Sequence, residues 1–429
     1  MERINVGLVG FGTVGSSFHR LMQVNGALLS EKSGMDVQIA VVADLDTEKV
    51  SQAAPGQTVV ADFRKIVDNP EISVVVELVG GTGIAYEIIS SALERGKHVI
   101  TANKALLATR GQELFELARR RHVGLKFEAA VCGAIPIIKI VRESLLANRI
   151  GSIMGIVNGT SNYILTAMTE RRISFDEALR DAQKRGFAEA DPTLDVGGGD
   201  SAHKISLLAS FAFGGWVDYR ELLVEGITTV TPGEIEFAAS AGYVFKLVAS
   251  ASIDDGEATV NVFPALLSQE HPLASVRNEV NAVFVESDFM GSGLFVGKGA
   301  GGDPTASSVA ADLADLAHAL RLGAEPAGAD FDASRKLKLR PRDRLRHRLF
   351  FHFVTENRPG IWATVTGGLA ENAINIESVH QKWEDRSKPS DLYILVDEAE
   401  ERQARKALDE IRAAGGIYPE SRYYRVLTA

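Results

Sequence analysis

The residues best suited to carry chemistry lie in a polar stretch at 186–204, which contains Asp200 and Lys204. Asp200 is predicted to cap a helix at 201–213, and a spacing of four residues places its carboxylate and the Lys204 amine on one face of the first turn. Such a pair is suited to proton transfer. A solvated loop with a surface ion pair would show the same spacing, so the rest of the chain must distinguish the two interpretations.

Features around this pair allow a ligand to approach the backbone. Three consecutive glycines at 197–199 remove side chains from the approach, and Pro192 stiffens it. The preceding helix carries a capping box at Ser174 and Glu177, and Gly186 can end it in the left-handed conformation. The stretch is therefore an ordered connection between two helices, which favours a binding site.

Composition limits the class of protein. The chain has 429 residues, 45% of them hydrophobic and 24% charged, with a net charge of -10. The length predicts two to four globular domains, and the acidic balance argues against nucleic-acid binding. Cys132 is the single cysteine, which excludes an intramolecular disulfide framework. With no signal-peptide pattern and no run of about 18 apolar residues, we expect a cytoplasmic protein that does not enter a membrane.

A glycine-rich turn near the N-terminus predicts a dinucleotide site. It follows a predicted strand at 4–9, precedes a predicted helix at 16–24 and consists of Gly10, Phe11, Gly12, Thr13, Val14 and Gly15. In this pattern Gly10 makes the turn, Gly12 admits the pyrophosphate and Gly15 allows close helix packing. The phosphates would lie at the positive end of the helix.

Asp44 is the expected partner of the adenosine ribose. It ends the apolar run 37–43, where an acidic residue binds the ribose hydroxyls and favours NAD over NADP. Its distance from Gly15 in the sequence is longer than usual for this pattern. Lys49 and Arg64 are alternatives that would instead meet a 2′-phosphate.

Further polar residues follow predicted strands of the same region. Strands and helices alternate there, with the last helix predicted at 111–121, which indicates a doubly wound α/β sheet. Ligands bind at the carboxyl ends of such strands. The polar residues at those ends are Thr82, Asn103, Lys104 and Glu128. A cation at a helix start opposes the helix dipole, so Lys104 is unfavourable for the stability of the helix. This favours a functional role for Lys104 over that of a solvent-exposed lysine.

Three later loops have possible binding roles. The apolar segment 128–136 is expected to be buried, so its carbonyls need partners, either water or a hard cation held with Glu128. Thr160 or Ser161 is predicted to cap a helix that ends at 171, where small polar groups also suit a carboxylate. A second glycine-rich turn at 297–302, which includes Gly301, would either close over the cofactor or only make a turn that requires positive φ.

Together these motifs resemble the homoserine dehydrogenase family over residues 1–340. The stretch 182–204 matches the family signature, with Gly186, Asp191, Pro192, Asp195, Gly198, Asp200 and Lys204 in place. The glycine turn, the Asn103-Lys104 pair, segment 128–136 and the run 158–160 also occur in the family's order.

The resemblance implies an oxidoreductase that reversibly converts L-homoserine to L-aspartate 4-semialdehyde with NAD or NADP, in threonine and methionine biosynthesis. Carried over residue by residue, it implies that Lys204 is the acid/base group and that Lys104 lies beside the reacting carbonyl, although an anion hole formed by Lys104 alone is a competing assignment. Glu189 and Asp200 are expected to hold the amino group, with Asp195 in support. Burial and the second cation would have to depress the pKa of Lys204.

The resemblance also implies cofactor contacts, a metal site and a domain plan. Gly186 and Gly301 join the cofactor contacts named above, and a structural sodium ion is expected at Glu128 and the carbonyls of Val131, Gly133 and Ile135. The expected plan is a Rossmann domain at 1–130, an α+β substrate and dimerisation domain at 131–305, a returning helix with a basic linker at 306–348, and a regulatory domain at 349–429. A homodimer or homotetramer is implied.

The last 81 residues have the pattern βαββαβ of a ferredoxin-like unit. The run 356–361, with Pro359 and Gly360, looks like the ligand-binding turn of ACT domains, although Asn357 stands where that family often has aspartate. The resemblance implies feedback by threonine or a related amino acid. A dimerisation module without a ligand is the alternative.

Two other functions remain open from the sequence. Another Rossmann amino-acid oxidoreductase, such as an aspartate dehydrogenase, would need neither the 182–204 signature nor Lys204. An amino-acid-sensing protein without catalysis would not need Glu189, Asp200, Lys104 and Lys204 together. Homoserine binding without hydride transfer would favour the second of these.

Overall fold

The computed structural model describes residues 2–324, 331–382 and 388–427. Its first sheet has six parallel strands: β1 Arg3–Val9, β2 Asp36–Ala43, β3 Thr58–Val60, β4 Val74–Glu77, β5 His98–Thr101 and β6 Leu125–Lys126. They lie in the order β3-β2-β1-β4-β5-β6, which is that of a doubly wound dinucleotide-binding fold. The predicted Rossmann class is therefore confirmed. Strands such as β4 are buried throughout, as expected where helices cover both faces.

The helices of this unit are α1 Thr13–Ser33, α2 Thr47–Ala53, α3 Arg64–Val67, α4 Ile84–Glu94 and α5 Lys104–Arg121. The predicted start of the last helix at 111 was wrong, because the Asn103 side chain accepts the Leu106 N–H and begins α5 two turns earlier. Gly111 lies inside the helix, where an added Cβ would be 2.8 Å from the Trp216 ring. Gly111, which was predicted to begin the helix, is instead a position where α5 packs closely against Trp216.

The second unit is built on an antiparallel sheet covered by buried helices. Its strands are β7 Ile150–Ile156, β8 Leu223–Val224, β9 Tyr243–Asp254, β10 Glu257–Ser268, β11 Val280–Ser287 and β12 Gly291–Lys298. Its helices are α6 Ile137–Lys139, α7 Gly159–Arg171, α8 Phe175–Lys184, α9 Thr193–Val196, α10 Gly199–Phe213 and α11 Pro232–Ser240. The main order is β12-β11-β7-β9-β10, and α10 packs both on this sheet and on α5. The two units thus meet along α5 and α10.

Helix α12 Gly302–Arg321 returns from the second unit to the first. Its apolar residues, including Val309 and Leu313, join the cluster formed by Leu8 and Phe18 of the first unit. At its start, a Cβ on Gly302 would be 2.4 Å from Ser17 Oγ and 3.0 Å from the Thr13 carbonyl oxygen. The glycine therefore allows α12 to cross α1 closely, next to the first glycine-rich turn.

The C-terminal unit has the predicted βαββαβ order. Its elements are β13 Arg346–Thr355, α13 Ile361–Glu371, β14 Ile376–Lys382, β15 Ser390–Glu400, α14 Glu401–Ala413 and β16 Arg422–Leu427. The strands lie in the order β16-β13-β15-β14 and pair antiparallel. Strand β16 also pairs in parallel with β10 through residues 265–267 and 425–427. One sheet therefore runs through the second and third units.

The basic segment interpreted as a linker lies along the second unit. The Leu337 N–H donates to the Trp216 carbonyl at 3.0 Å, and the Arg340 N–H donates to the Ala258 carbonyl at 2.8 Å. Lys338 also forms an ion pair of 2.7 Å with Glu257. These contacts hold the segment in place before β13 begins. Within the described ranges, no helix is long and apolar enough to span a membrane.

Candidate active site

Asp200 and Lys204 lie in the first two turns of α10, and both are buried. Asp200 does not cap the helix, contrary to the prediction: α10 begins after Gly198, which has a φ of +86° and makes no side-chain cap. The left-handed glycine turns the chain so that Asp200 faces inward. The carboxylate is consequently available for groups other than its own backbone.

Two lysines bind the Asp200 carboxylate from different elements. Lys204 Nζ lies 2.7 Å from Oδ2, and Lys104 Nζ, at the start of α5, lies 3.2 Å from Oδ1. Lys204 also donates to the Val157 carbonyl at 2.5 Å. The structure thus brings together the predicted acid/base residue, the second lysine and one predicted anchor.

The electrostatics of this cluster differ from the expectation for Lys204. Burial favours the neutral form of each group, but the lysines oppose it and hold the pKa of Asp200 well below its usual range. Burial likewise acts to lower the pKa of Lys204, yet the Asp200 charge outweighs it and the pKa is raised. The expected depression was wrong because the second cation, Lys104, lies across the same carboxylate that stabilises the Lys204 ammonium.

Asn158 belongs to the run 158–160 that was matched to the family, but no site role was assigned to its side chain. Its Nδ2 donates to Asp195 Oδ1 at 2.7 Å and to Asp200 Oδ2 at 2.8 Å, which places Asp195 beside the cluster. Its Oδ1 accepts the Ser161 N–H at 2.8 Å and so caps α7. The predicted caps, Thr160 and Ser161, were wrong. The available signal was an Asn-Gly pair directly after a predicted strand, which is a helix-start pattern as well as a turn pattern.

Thr160 and Ser161 instead fasten the Asp195 segment. Thr160 Oγ1 lies 3.1 Å from Asp195 Oδ2, and Ser161 Oγ donates to the Asp195 carbonyl at 3.0 Å. The start of α7 is therefore attached to the polar stretch through three side chains, those of Asn158, Thr160 and Ser161. This holds the stretch against the sheet next to Asp200.

Glu189 and Gly186 lie farther along the same stretch and are exposed. Gly186 has a φ of +75° directly after α8, as predicted for a residue that ends a helix. The Glu189 carbonyl accepts from Gln183 at 3.1 Å, while its carboxylate has no hydrogen bond or ion pair within the described part of the chain. The structure does not join Glu189 to the Asp200 cluster, so its anchoring role stays a prediction.

The first glycine-rich turn has the geometry a dinucleotide requires. Gly10 has a φ of +96°, and a Cβ on Gly15 would be 2.0 Å from the Gly10 carbonyl oxygen. No atom lies within 4 Å of a Cβ built on Gly12, so space is open where the pyrophosphate is expected. Thr13 and Val14 begin α1. Asp44 Oδ2 accepts the Phe11 N–H at 2.6 Å, which fixes this carboxylate beside the turn.

A pocket of about 300 Å³ connects this turn with the lysine cluster. Val14, Gly80, Gly81, Asn103 and Lys104 are among the residues that line it. Asn103 Nδ2 donates to the Gly81 carbonyl at 2.6 Å and holds the two strand-end loops together. Thr82, which follows Gly81, is exposed. Lys104 therefore borders the predicted cofactor space on one side and Asp200 on the other.

Glu77 is a second residue that the sequence analysis did not single out. It is fully buried at the end of β4, where its carboxylate accepts the Val79 N–H at 2.8 Å, the Gly80 N–H at 3.2 Å and the Thr101 hydroxyl at 2.6 Å. Burial raises its pKa above the usual value. Glu77 shapes the loop that lines the cofactor pocket. Its only sequence signal was an acidic residue at the end of an apolar strand.

The second glycine-rich turn lies beside the first through the crossing of α12 and α1. Gly301 precedes α12 with a φ of +116°, and Arg20 of α1 forms an ion pair with Asp303. Gly133 packs against this turn, because a Cβ on Gly133 would be 2.7 Å from the Gly299 carbonyl carbon. The turn thus connects the cofactor region with the loop predicted to hold a cation.

The loop predicted to hold sodium has suitable donors. Glu128 is buried and accepts the N–H groups of Ile138 and Lys139 at 2.9 and 2.8 Å. The Gly133 carbonyl accepts from Ser308 at 2.6 Å and the Ile135 carbonyl from the Ile137 N–H at 2.7 Å, which leaves each a second lone pair. Cys132 and Gly133 both have positive φ, at +57° and +52°. No group of three His, Cys, Asp or Glu side chains across the described ranges is placed to hold a metal, so a cation here would depend on carbonyls.

Comparison with known proteins identifies related sequences over nearly the whole chain. Residues 10–128 match the family described as "Homoserine dehydrogenase, NAD binding domain", residues 136–314 match "Homoserine dehydrogenase", and residues 347–416 match "ACT domain". A homoserine dehydrogenase of Neisseria gonorrhoeae is 37% identical over 422 residues, which cover 96% of each chain.

Solved structures give the same result. The crystal structure of a homoserine dehydrogenase from Thiobacillus denitrificans superposes with a TM-score of 0.94 at 35% identity, covering 100% of this chain and 99% of that one. A hyperthermophilic archaeal homoserine dehydrogenase in complex with NADPH has a TM-score of 0.62 at 27% identity, covering 74% of this chain and 98% of that one.

Proposed function

Because this chain belongs to the homoserine dehydrogenase family of oxidoreductases, we propose that it reversibly oxidises L-homoserine to L-aspartate 4-semialdehyde with NAD or NADP. The observation that best supports this function is the position of Lys104, which lines the cofactor pocket and lies 3.2 Å from the Asp200 carboxylate. A substrate bound at Asp200 would then have its reacting carbon next to the cofactor space. The proposed setting is cytoplasmic threonine and methionine biosynthesis.

In the proposed reaction Lys204 moves the proton. A bound nicotinamide cofactor would supply the hydride acceptor for the alcohol carbon during oxidation and the hydride donor during reduction. Lys204 takes the hydroxyl proton during oxidation and returns it during reduction, while Lys104 stabilises charge on the reacting oxygen. Asp200, 2.7 Å from Lys204 Nζ, favours the ammonium form of Lys204, and this form is the proton donor that reduction needs.

Substrate binding is proposed to make Lys204 a better base. Asp200 and Glu189 would accept the substrate ammonium, with Asp195 in support. The substrate ammonium would be a further cation at Asp200 beside Lys104, and it would share the negative charge that holds the Lys204 proton, so the pKa of Lys204 would fall when substrate binds. The same carboxylate therefore binds substrate and adjusts the proton carrier.

The cofactor residues fit either nicotinamide dinucleotide. The proposed contacts are Gly10, Phe11, Gly12, Thr13, Val14, Gly15, Asp44, Thr82, Asn103, Lys104, Gly186 and Gly301. Asp44 would repel a 2′-phosphate and so favours NAD, and Arg64 is already paired with Glu87 at 2.5 Å. Asp44 also has backbone partners at Phe11 and Asp46, which it would share with a ribose hydroxyl.

We also propose a structural sodium ion and a regulated C-terminal unit. Glu128 and the carbonyls of Val131, Gly133 and Ile135 would hold the ion, which would order the loop without taking part in the chemistry.

Threonine feedback would act through the ACT unit, where Gly360 has a φ of +91° at the turn that begins α13. Assembly as a homodimer or homotetramer, without effector binding, is the alternative role for that unit. The domain division at 130, 305 and 348 is part of the same proposal.

Initial rates test this function. Purified full-length protein is assayed with L-homoserine and each nicotinamide cofactor in parallel, with and without L-threonine. We expect homoserine-dependent formation of reduced cofactor with at least one of the two, and inhibition by threonine. Saturable homoserine binding without reduced cofactor would instead identify a binding protein, and activity with aspartate but not homoserine would identify an aspartate dehydrogenase.

A further inference from the structure

A large polar pocket lies where the C-terminal unit meets the second unit. Its volume is about 850 Å³, and the C-terminal end of α7, helix α11 and strands β14 and β15 enclose it. Its lining includes Thr169, Arg172, Glu236, Asp391 and Tyr393. None of these residues belongs to the cofactor or substrate clusters described above. The size is within the usual range for small-molecule sites.

Opposite charges line the pocket. Arg172 ends α7 in the left-handed conformation, with a φ of +55°, and its charge helps lower the pKa of Glu236 on α11 after the larger effect of Lys382. Lys382 Nζ lies 2.7 Å from Glu236 Oε2. Asp391, from β15, supplies a second carboxylate. Among the described residues, two cations and two anions therefore line one cavity.

This arrangement selects among small ligands. A phosphate or other dianion would meet both carboxylates, and a simple cation would meet Arg172 and Lys382. A molecule with one carboxylate and one ammonium group can pair with both signs of charge at once. Met168, Ile235 and Ala239 provide an apolar part of the lining for a side chain. An α-amino acid has this combination of groups.

Asp391, which lines the pocket, belongs to a group of polar contacts between the C-terminal unit and the second unit. Glu234 of α11 is fully buried and binds His352 Nδ1 at 2.7 Å and Arg422 Nε at 2.7 Å. The other ring nitrogen of His352 lies 2.8 Å from Asp391 Oδ1. A ligand that contacts Asp391 would therefore alter a chain of contacts that joins β13, β15 and β16 to α11.

Helix α7 connects the pocket with the active site. Its cap, Asn158, binds Asp195 and Asp200, whereas Thr169 and Arg172 at its other end line the pocket. The 13 residues of α7 span about 20 Å, and nine consecutive ones, 160–168, are buried. A buried helix moves as a unit more readily than it bends. A displacement of Arg172 at one end of α7 would therefore also move Asn158 at the other end.

We propose that this pocket is a regulatory site for a free α-amino acid, separate from the turn 357–360 that the ACT resemblance indicates. The amino-acid carboxylate binds at Arg172, and its ammonium group binds between Glu236 and Asp391. Occupancy shifts α7 and changes dehydrogenase turnover. The inference rests on the proposed function for its activity readout only, because binding is measured separately.

The test uses full-length protein and direct binding. Each of the protein-forming L-amino acids is screened at millimolar concentration by thermal shift, and any that stabilises the chain is measured by calorimetry. The same measurement is made on Glu236→Gln and Arg172→Asn, which remove one charge each. Asparagine is chosen because it tolerates the left-handed conformation. Glu170→Gln, on the same helix but paired with Arg277 outside this pocket, is the charge-matched control.

We expect the dissociation constant of the bound amino acid to rise at least about tenfold in both pocket variants and to stay unchanged in Glu170→Gln. Turnover without amino acid should be the same in all of them. Binding that is lost in Arg358→Ala, at the turn, but kept in both pocket variants would overturn the proposal, as would a screen in which no amino acid binds. Failure of the dehydrogenase assay with binding intact would count against the proposed function instead.

Discussion

Asp200 is the residue on which the candidate active site converges. Lys204, Lys104 and Asn158 all contact its carboxylate, and they come from three different elements. Because the carboxylate is buried, each contact is less screened than a surface ion pair would be. A change at any one of the four residues should therefore affect the other three.

Lys204→Ala should abolish turnover and leave cofactor affinity near normal. Asp200 would keep Lys104 and Asn158 as partners, so the site loses its proton carrier without leaving the carboxylate unpaired. Steady-state rates and cofactor titration by fluorescence would measure the two effects. Lys104→Ala is the comparison, since it should change cofactor affinity as well. Retention of a tenth of the wild-type rate in Lys204→Ala would remove Lys204 from the proposed role.

Asn158→Ala should lower both stability and activity. The substitution removes the cap of α7, worth about 1 kcal/mol, and one charge-assisted hydrogen bond from each of Asp195 and Asp200. We expect a loss of about 2–4 kcal/mol in unfolding free energy and a fall in kcat/KM. Ser174→Ala is the matched control, because it removes the cap of α8 away from the site and should cost about 1 kcal/mol with unchanged kcat/KM. Equal kinetic effects in the two variants would contradict the positioning role.

At this scale the sequence identified which residues matter better than how they interact. Asp200 and Lys204 were recognisable from their spacing, since an interval of four residues on a helix is a local property. The contacts of the Asn158 side chain were not recognisable, because its partners are 37 and 42 positions away. The direction of the Lys204 pKa shift was also wrong, since it depends on where Lys104 lies relative to the carboxylate.

Among the elements, the crossing of α1 and α12 constrains the cofactor region most. Gly302→Val should lower the melting temperature and weaken cofactor binding, because the new side chain meets Ser17 and the Thr13 carbonyl at the start of α1. Gly26→Ala, in the middle of α1, is the control: the nearest atom is 3.8 Å from its Cβ, and the change should raise the unfolding free energy by up to about 1 kcal/mol. Thermal melts and cofactor titration would measure both. Unchanged cofactor affinity in Gly302→Val would show that the crossing does not shape the turn.

Element types were easier to predict than element ends and packing. The capping box of α8 was predicted and is present, because both of its contacts are local. The start of α5 was wrong, since Gly111 is explained by Trp216, a residue that no local pattern indicates. The βαββαβ order followed from periodicity, whereas the pairing of β16 with β10 joins segments about 160 residues apart and has no local signal.

At the scale of the whole molecule, the contacts of His352 predict that the contact between the second and third units depends on pH. Burial acts to lower the pKa of His352, but hydrogen bonds to Asp391 and Glu234 outweigh it and raise the pKa. A raised pKa means that protonated His352 contributes stability fully below its unfolded pKa of about 6.5, and that this contribution is lost as pH rises through the folded pKa. Arg422, also bound to Glu234, opposes the histidine charge.

His352→Gln should therefore lower the denaturation midpoint more at pH 6 than at pH 9. Glutamine keeps hydrogen-bonding capacity but cannot take the charge. Urea titrations of both proteins at a series of pH values would measure the difference between their midpoints. A difference that is constant or grows with pH would show that the charge of His352 does not stabilise the joint.

Removal of residues 346–429 should produce an aggregating protein rather than an unregulated enzyme. The cut exposes the edge of β10 and the aromatic faces of Phe237 and Phe245, which now contact Phe350 and Tyr424. Size-exclusion chromatography with light scattering, together with binding of a hydrophobic dye, would detect this. A monodisperse truncated protein with full activity would show that the shared sheet is dispensable.

The shared sheet also limits how such chains can be recombined. Arg425, fully buried on β16, pairs with Glu401 of its own unit and with Glu225 of the second unit. A foreign ACT unit joined at residue 346 would have to supply both the parallel register and this arginine to fit. Chimeric enzymes with exchanged regulatory behaviour should therefore be assembled from matched pairs of β10 and β16, with the exchange boundary placed inside the second unit rather than at the apparent linker.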